Sequence, residues 1–384
     1  MTANFEDPVP GGQTAVDRQR NAALLSGYDY SKSAGGITGY TGQDLQRVSR
    51  LDRSHPAVRT RVGDRGNYKA GMALRDDGIL ALAVCRDPGL DGRTWDIVVY
   101  ESGDEGQSWR QIAIPGYEAK EPSLTTTADG ALLLTAQNAE FQPGVRLDGV
   151  IAARSIDGGH TWNLCELDSC AYPRNVLVED DGTLLFLSAA ETPDQLILCR
   201  STDHGMTWQQ SDGQVSWDPD IQSRISEVSV ARLTDGRLLA AMRHNLPPAL
   251  GSDMGPGERG HAFADTVLAA SDDDGATWSA PQPLTRTAEV HANLLPLADG
   301  RLLATYVNYH LPFGVCAIVS DDHGATWDVD HPFQLSCAAF WPTNNGWPAT
   351  LQLNDGSLLT CYAANAYPDD APHSVCEVVR WELP

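Results

Sequence analysis

Lys69, Glu121, Arg174, Glu227, His291 and Trp347 recur at wide intervals and are of types that do acid–base work, hold anions and offer a flat aromatic face. Arg86, Arg243 and His310 add two more cations and an imidazole. Carboxylates supply acid, base or nucleophile, a histidine takes a proton or holds a hydroxyl, and several cations gathered in an acidic chain suit an anionic group. Glu227 and Arg243 carry the most. They stand sixteen residues apart with Asp235-Gly236 midway. Asp-Gly between apolar runs signals a hairpin, and a hairpin of that length returns both side chains to one end. The plainer alternative is a ring of polar loop residues around an unused hole.

What would gather these residues is a repeat. Asp-Gly followed by apolar residues occurs at Asp77, Asp129, Asp181, Asp235, Asp299 and Asp355, at intervals of 52, 52, 54, 64 and 56. A second motif alternates with it. Residues 271–278 read SDDDGATW, 155–162 SIDGGHTW, 201–208 STDHGMTW and 320–327 SDDHGATW, with a weaker copy, SGDEGQSW, at 102–109. Each unit reads strand, turn, strand, loop, strand, box, strand, and helical periodicity is absent almost throughout. Six such units predict an all-β, six-bladed β-propeller of four-stranded blades. These cations, carboxylates and aromatic then sit at the heads of inner strands or the ends of second strands, around one channel.

The box reads as scaffold. Its Asp can accept turn N–H groups, its Gly takes an unusual backbone conformation, and its Trp packs into the blade. Five copies cannot all be one active site. The sixth unit has no box and the chain stops at Pro384, so its last strand is expected from the N-terminal side, within Leu45–Val62. Residues 1–20 read as a loose tail, and 21–384 as a single propeller domain.

A formal charge of −24 opposes nucleic acid and anionic membranes, which need clustered Lys and Arg. No apolar run approaches the twenty residues of a membrane span. The first residues lack an apolar segment of the secretory kind, so a cytoplasmic protein with reduced thiols is expected. Cys85, Cys199, Cys316, Cys361 and Cys376 lie in apolar runs; Cys165 and Cys170 are close enough to bridge. The eight Cys form no metal pattern, the boxes lack a calcium-loop pattern, and two scattered His make no ligand set. No metal or cofactor is expected, and the oligomeric state is open.

The repeated boxes on a six-fold β pattern resemble the sialidase (neuraminidase) superfamily, whose members carry Asp-box, or BNR, repeats. The resemblance runs from about Asn67 to Trp381 and implies the propeller fold. It also implies site residues. Where family members open the first inner strand with Phe-Arg-Ile-Pro, this chain has Tyr68-Lys69-Ala70-Gly71, so Lys69 stands for the first Arg. The stretch from Arg86 to Asp91 matches the family's Arg followed by its acid/base Asp. Glu227 and Arg243 match the buried Glu and a substrate-binding Arg. The chain departs at the third Arg, where Tyr306 to His310 stand, and at the Tyr nucleophile, replaced by Trp347. Tyr309, with Tyr68, Tyr306 and Tyr362, is a candidate for that missing role.

The expected function is therefore that of an exo-acting glycoside hydrolase removing a terminal, acidic sugar from an oligosaccharide. Asp91 would protonate the leaving oxygen. Glu227 would activate a Tyr or act directly, and His291 could serve as a base. Lys69, Arg86, Glu121, Arg174, Arg243, His310 and Trp347 would bind the sugar and its anionic group. Two alternatives stay open: a uronate lyase on the same scaffold, and a non-catalytic carbohydrate-binding or interaction propeller.

Overall fold

The computed structural model describes residues 57–383 except 65, 88–94, 139–148, 166, 168–172, 191–194, 218–223, 246–263, 287–288, 309–313, 337–345 and 366–373. Among the described residues there are strands and turns and no helix. The strands form six small sheets, one per repeat. Blade one runs Asn67–Leu74, Leu80–Arg86, Asp96–Ser102 and Arg110–Ala113. Blade two runs Ala119–Thr126, Leu132–Asn138, Val150–Ser155 and Asn163–Leu164. Blade three has a short inner strand, Leu177–Val178, then Leu184–Ala189, Gln195–Ser201 and Gln209–Val215. Blade four is Arg224–Arg232, Leu238–Asn245, Ala264–Ser271 and Gln282–Pro283, and blade five Glu289–Pro296, Leu302–Asn308, Gly314–Ser320 and Phe333–Gln334. Blade six supplies only Gly346–Gln352, Leu358–Asn365 and Ser374–Trp381 from its own repeat.

Its fourth strand is Val58–Val62, antiparallel to Ser374–Trp381, with Val58 opposite Arg380 and Val62 opposite Cys376. The N-terminal strand thus closes the ring, within the stretch expected from the sequence. Each inner hairpin turns through four residues. In blade one, Gly78 N–H bonds the Arg75 carbonyl at 2.9 Å and Asp77 Oδ1 accepts from Ile79 N–H at 3.1 Å. Gly78 takes a φ of 81° there, where a side chain would be strained.

The boxes close the turns between third and fourth strands, and their bonding is local. In blade four Ser271 Oγ donates to Asp273 Oδ1 at 2.9 Å and accepts Gly275 N–H at 2.9 Å. Asp273 also takes the Thr277 N–H at 2.8 Å and its hydroxyl at 2.6 Å, and Trp278 Nε1 donates to the Gly275 carbonyl at 3.0 Å. The sequence placed the Trp within its own blade; the structure puts the box at a joint. Gly106 faces Leu359, Gly159 faces Val99 and Ile112, Gly205 faces Leu133, Gly275 faces Leu198 and Gly324 faces Leu239, in each case on the preceding blade. Trp278 shares a core with Leu198, Val215 and Leu238, between blades three and four. Thr277–Trp278 even pairs in parallel with Gln214 and Val215 of blade three. Blade six lacks a box, and there Arg59 of the closing strand donates to the Leu335 carbonyl of blade five at 2.6 Å.

Cys85, Cys199, Cys316, Cys361 and Cys376 are buried free thiols and fill core space as small hydrophobes. Cys165 is free as well; its expected partner, Cys170, lies outside the described residues.

Two outcomes are expected. Trp278→Ala should lower unfolding free energy by about 3–5 kcal/mol in urea titration, because a 2 % exposed indole leaves a cavity between two blades. Folded variant should keep its ligand preference. Deleting residues 58–62 bares the edge of Ser374–Trp381, so calorimetry should show a lower, broader transition and size-exclusion chromatography self-association. An unaltered transition would mean the ring closes without that strand.

Candidate active site

The heads of five of the six inner strands carry a repeated irregularity. In blades two, four, five and six the register slips by one residue, between Lys120 and Ser123, Ser226 and Ser229, Val290 and Asn293, and Gly346 and Ala349. The first residue of each bulge is left-handed without being glycine: Glu121 at φ 56°, Glu227 at 51°, His291 at 60° and Trp347 at 58°. A non-glycine residue in this region costs about 1–2 kcal/mol, and such strain concentrates where side chains must be aimed. Blade one slips between Asn67 and Ala70, around Tyr68 and Lys69. Blade three has no bulge; Pro173 bridges Val228 and Arg174 N–H bonds the Val228 carbonyl at 3.2 Å.

The aimed side chains meet one another across blades. Lys69 is ion-paired with Glu121. Glu227 lies between two partners: Arg243 Nη1 reaches its Oε1 at 2.8 Å, and His291 Nδ1 bonds its Oε2. Arg174 spans the axis from blade three, donating through Nη2 to the carbonyls of His291 at 2.9 Å and Pro348 at 2.8 Å. The Trp347 ring carries both remaining cations, Lys69 Nζ and Arg174 Cζ each 4.0 Å from its centroid, and lies 5.7 Å from the His291 ring. Such cation–π contacts strengthen when desolvated, and Trp347 is only 1 % exposed.

Burial sets the protonation states, and the partners decide who overcomes it. Burial works to raise Glu227, but His291 and Arg243 outweigh it and hold the carboxyl well below its usual 4.5. Burial pushes His291 down to about 4, with the charges of Arg243 and Lys69 adding to the effect. At neutral pH the ring is uncharged and donates Nδ1–H to Glu227. Burial disfavours the Lys69 ammonium, yet Glu121 beside it holds it above its ordinary value. Burial lowers Arg174 to about 10, which leaves it cationic.

Seven of the residues singled out from sequence therefore gather at the axis: Lys69, Glu121, Arg174, Glu227, Arg243, His291 and Trp347. Arg86 stands at the end of its strand and pairs with Asp96 at 3.0 Å. Asp91, Tyr309 and His310 lie outside the described residues. Of the other tyrosines, Tyr306 and Tyr362 are core residues, the latter bonded to Glu377 at 2.9 Å. Tyr68 packs on Trp95, its ring 5.2 Å from Lys69 Nζ. Among the described residues no cluster of three or more His, Cys, Asp or Glu could hold a metal.

Sequence reading passed over a second carboxylate–imidazole pair. His244 Nδ1 lies 2.8 Å from Asp265 Oδ1, with Trp217 edge-on at 5.7 Å. His244 follows Arg243 and faces Asp265 in the hairpin register, so counting that register outward from the box would have found it.

Comparison with known proteins gives three findings. Residues 65–212 match the family model of the BNR repeat-like domain. No curated protein sequence matches the chain. Among solved structures it is similar to a protein of unknown function from Dyadobacter fermentans, with a TM-score of 0.69 and 20% identity over 86% of this chain and 100% of that one. It is similar to an α-L-arabinofuranosidase from Fusarium graminearum complexed with an iminosugar inhibitor, at 0.58 and 13% over 85% and 96%. A sialidase from Streptococcus pneumoniae gives 0.58 and 13% over 84% and 70%. At these identities the likeness is one of fold, that of a β-propeller, with BNR-like repeats matched over residues 65–212.

The His291 environment predicts acid sensitivity. The unfolded chain binds a proton at His291 near 6.5 and the folded one only near 4. Between those values the unfolded state holds more protons, so stability falls as pH drops from 6.5 to 4, by about 3 kcal/mol from this group. Glu227 acts in the same sense lower down: its contribution is full above 4.5 and is lost as pH falls toward its depressed folded value. Melting temperature should decline over the upper window in calorimetry, and His291→Gln should flatten the decline. Identical profiles for the two proteins would show that His291 takes up its proton at the same pH in the folded as in the unfolded chain.

Proposed function

We propose that the chain is an exo-acting glycoside hydrolase that removes a terminal acidic sugar from an oligosaccharide at the axial site. The observation that carries this reading is the Glu227 carboxylate, buried, backbone-strained and held ionised between Arg243 and His291. A buried anion so placed serves as base or nucleophile. It cannot be the proton donor. Glu121, paired with Lys69, does not fit that role either, so the proton for the leaving oxygen comes from elsewhere. The matching position from the sequence is Asp91, with Tyr309 the candidate for a nucleophile worked by Glu227.

Two features support exo action on an acid. Arg174 reaches across the axis to the carbonyls of His291 and Pro348, which favours entry of a chain end over threading of a chain through the ring. The cluster also holds three cations, Lys69, Arg174 and Arg243, against two carboxylates and a neutral imidazole. One positive charge is left over in a chain of formal charge −24. Arg86, His310 and Trp347 complete the proposed sugar-binding set.

The test is a panel of aryl glycosides and acidic oligosaccharides read by mass spectrometry, where a product heavier by one water marks hydrolysis. On any substrate found, Glu227→Gln should cut kcat/KM at least about a hundredfold with the fold intact by circular dichroism. Arg243→Lys should mainly raise KM, since charge is kept and fork geometry lost. Cleavage without water uptake, or wild-type kinetics in both variants, would overturn the reading.

A further inference from the structure

Four cation–π contacts join described residues, and all four belong to one connected series. Such contacts occur roughly once per 70–80 residues, so four in a single series is a concentration. The series starts at the axis, where Trp347 holds Arg174 and Lys69. It leaves the axis through Lys69, whose Nζ also lies 5.2 Å from the Tyr68 centroid. Tyr68 packs on Trp95 with centroids 5.7 Å apart and planes at 39°, and Lys120 Nζ lies 5.7 Å from the Trp95 ring. Tyr68 heads the inner strand of blade one, Trp95 precedes its third strand, and Lys120 opens blade two. Both rings pack on the core that blades one and two share. The bridge between Asp96 and Glu118 ties the strand after Trp95 to the entry of blade two. Burial falls along the way: Trp347 is fully buried, while Tyr68, Trp95 and Lys120 are half-buried.

We propose that the outer half of this series is a second subsite, in which Tyr68 and Trp95 stack the neutral sugar ring next to the terminal unit and Lys120 donates to one of its hydroxyls. The proposal rests on the axial sugar site described above and gives the direction in which the rest of the oligosaccharide leaves it, over the joint of blades one and two. The chemistry of the surface suits such a ring. Two aromatic faces offer apolar area on rigid side chains that lose little freedom on binding. Polar groups stand at their edges with capacity to spare: among the described residues the Tyr68 hydroxyl makes no hydrogen bond and Lys120 pairs with no carboxylate. A sugar ring presents the matching pair of features, a face of C–H bonds and an edge of hydroxyls. A flat aromatic group can stack but brings no hydroxyl to Lys120 or Tyr68. A charge on this ring is not called for, since Lys69 at the inner end is already paired with Glu121.

Saturation-transfer NMR on the full chain tests this with lactose, maltose and cellobiose, and with phenol as the aromatic alternative. At least one disaccharide should receive saturation at the C–H protons of one ring face, and Trp95→Ala should abolish it. Lys120→Gln leaves both rings in place and should weaken the same sugar about threefold; it carries the test if Trp95→Ala does not fold. On any oligosaccharide the protein cleaves, Trp95→Ala should raise KM about tenfold with kcat little changed. The methyl glycoside of the same terminal sugar should escape that penalty. No saturation of any disaccharide in the wild type, or saturation untouched by Trp95→Ala and by Lys120→Gln, overturns the proposal. Phenol bound at this ring pair more tightly than every sugar overturns it equally. Trp95-dependent sugar binding in a protein that cleaves no glycoside would remove the hydrolase reading and leave the subsite. Cleavage whose KM ignores Trp95→Ala at every chain length would do the reverse.

Discussion

The pairing of Val58–Val62 with Ser374–Trp381 is the constraint on which the rest depends. A toroid of small sheets has no central core; each blade buries one face against each neighbour. Leave one joint open and two apolar faces and a strand edge meet water at once. With the joint made, the core clusters run from blade to blade, as in the one joining Val62, Met72 and Leu82 to Leu359 and Val378 across the seam. The Asp boxes reinforce the same logic, since each places a positive-φ glycine against the previous blade. What repeats in the sequence is the joint between units as much as the unit.

A closed ring can hold what an open sheet could not. Four non-glycine residues at the inner-strand heads sit in left-handed backbone, and ionised side chains lie almost without water beside them. Both are costly alone. They persist because flanking strand pairs fix the bulges and because nearly every charge meets an opposite charge. The surplus on Arg174 is the exception, tolerated through two backbone carbonyls and Trp347.

The propeller was legible because its signals are local. An Asp-Gly turn or a box is complete within eight residues, and six against five told that one strand must come from elsewhere. The Glu227–Arg243 contact was legible for the same reason, as one hairpin joins them. What joins different blades was not. Nothing in the spacing marks Glu227 for His291, or Lys69 for Glu121, since which inward side chains touch depends on blade rotation and on the one-residue slips. Trp347 shows the limit: its position was read correctly, but the sequence carries no sign that two cations occupy its ring.

The axial contacts also make the cluster of charged side chains conditional on assembly. Blades one and two share an ion pair, blades four and five share the Glu227–His291 bond, and Arg174 ties blade three to five and six. No consecutive half of the chain contains a complete set. A nascent or fragmentary propeller therefore presents only part of the axial set. The complete axial cluster comes into being with the last blade contact, so that ring closure and the assembly of these side chains are a single event.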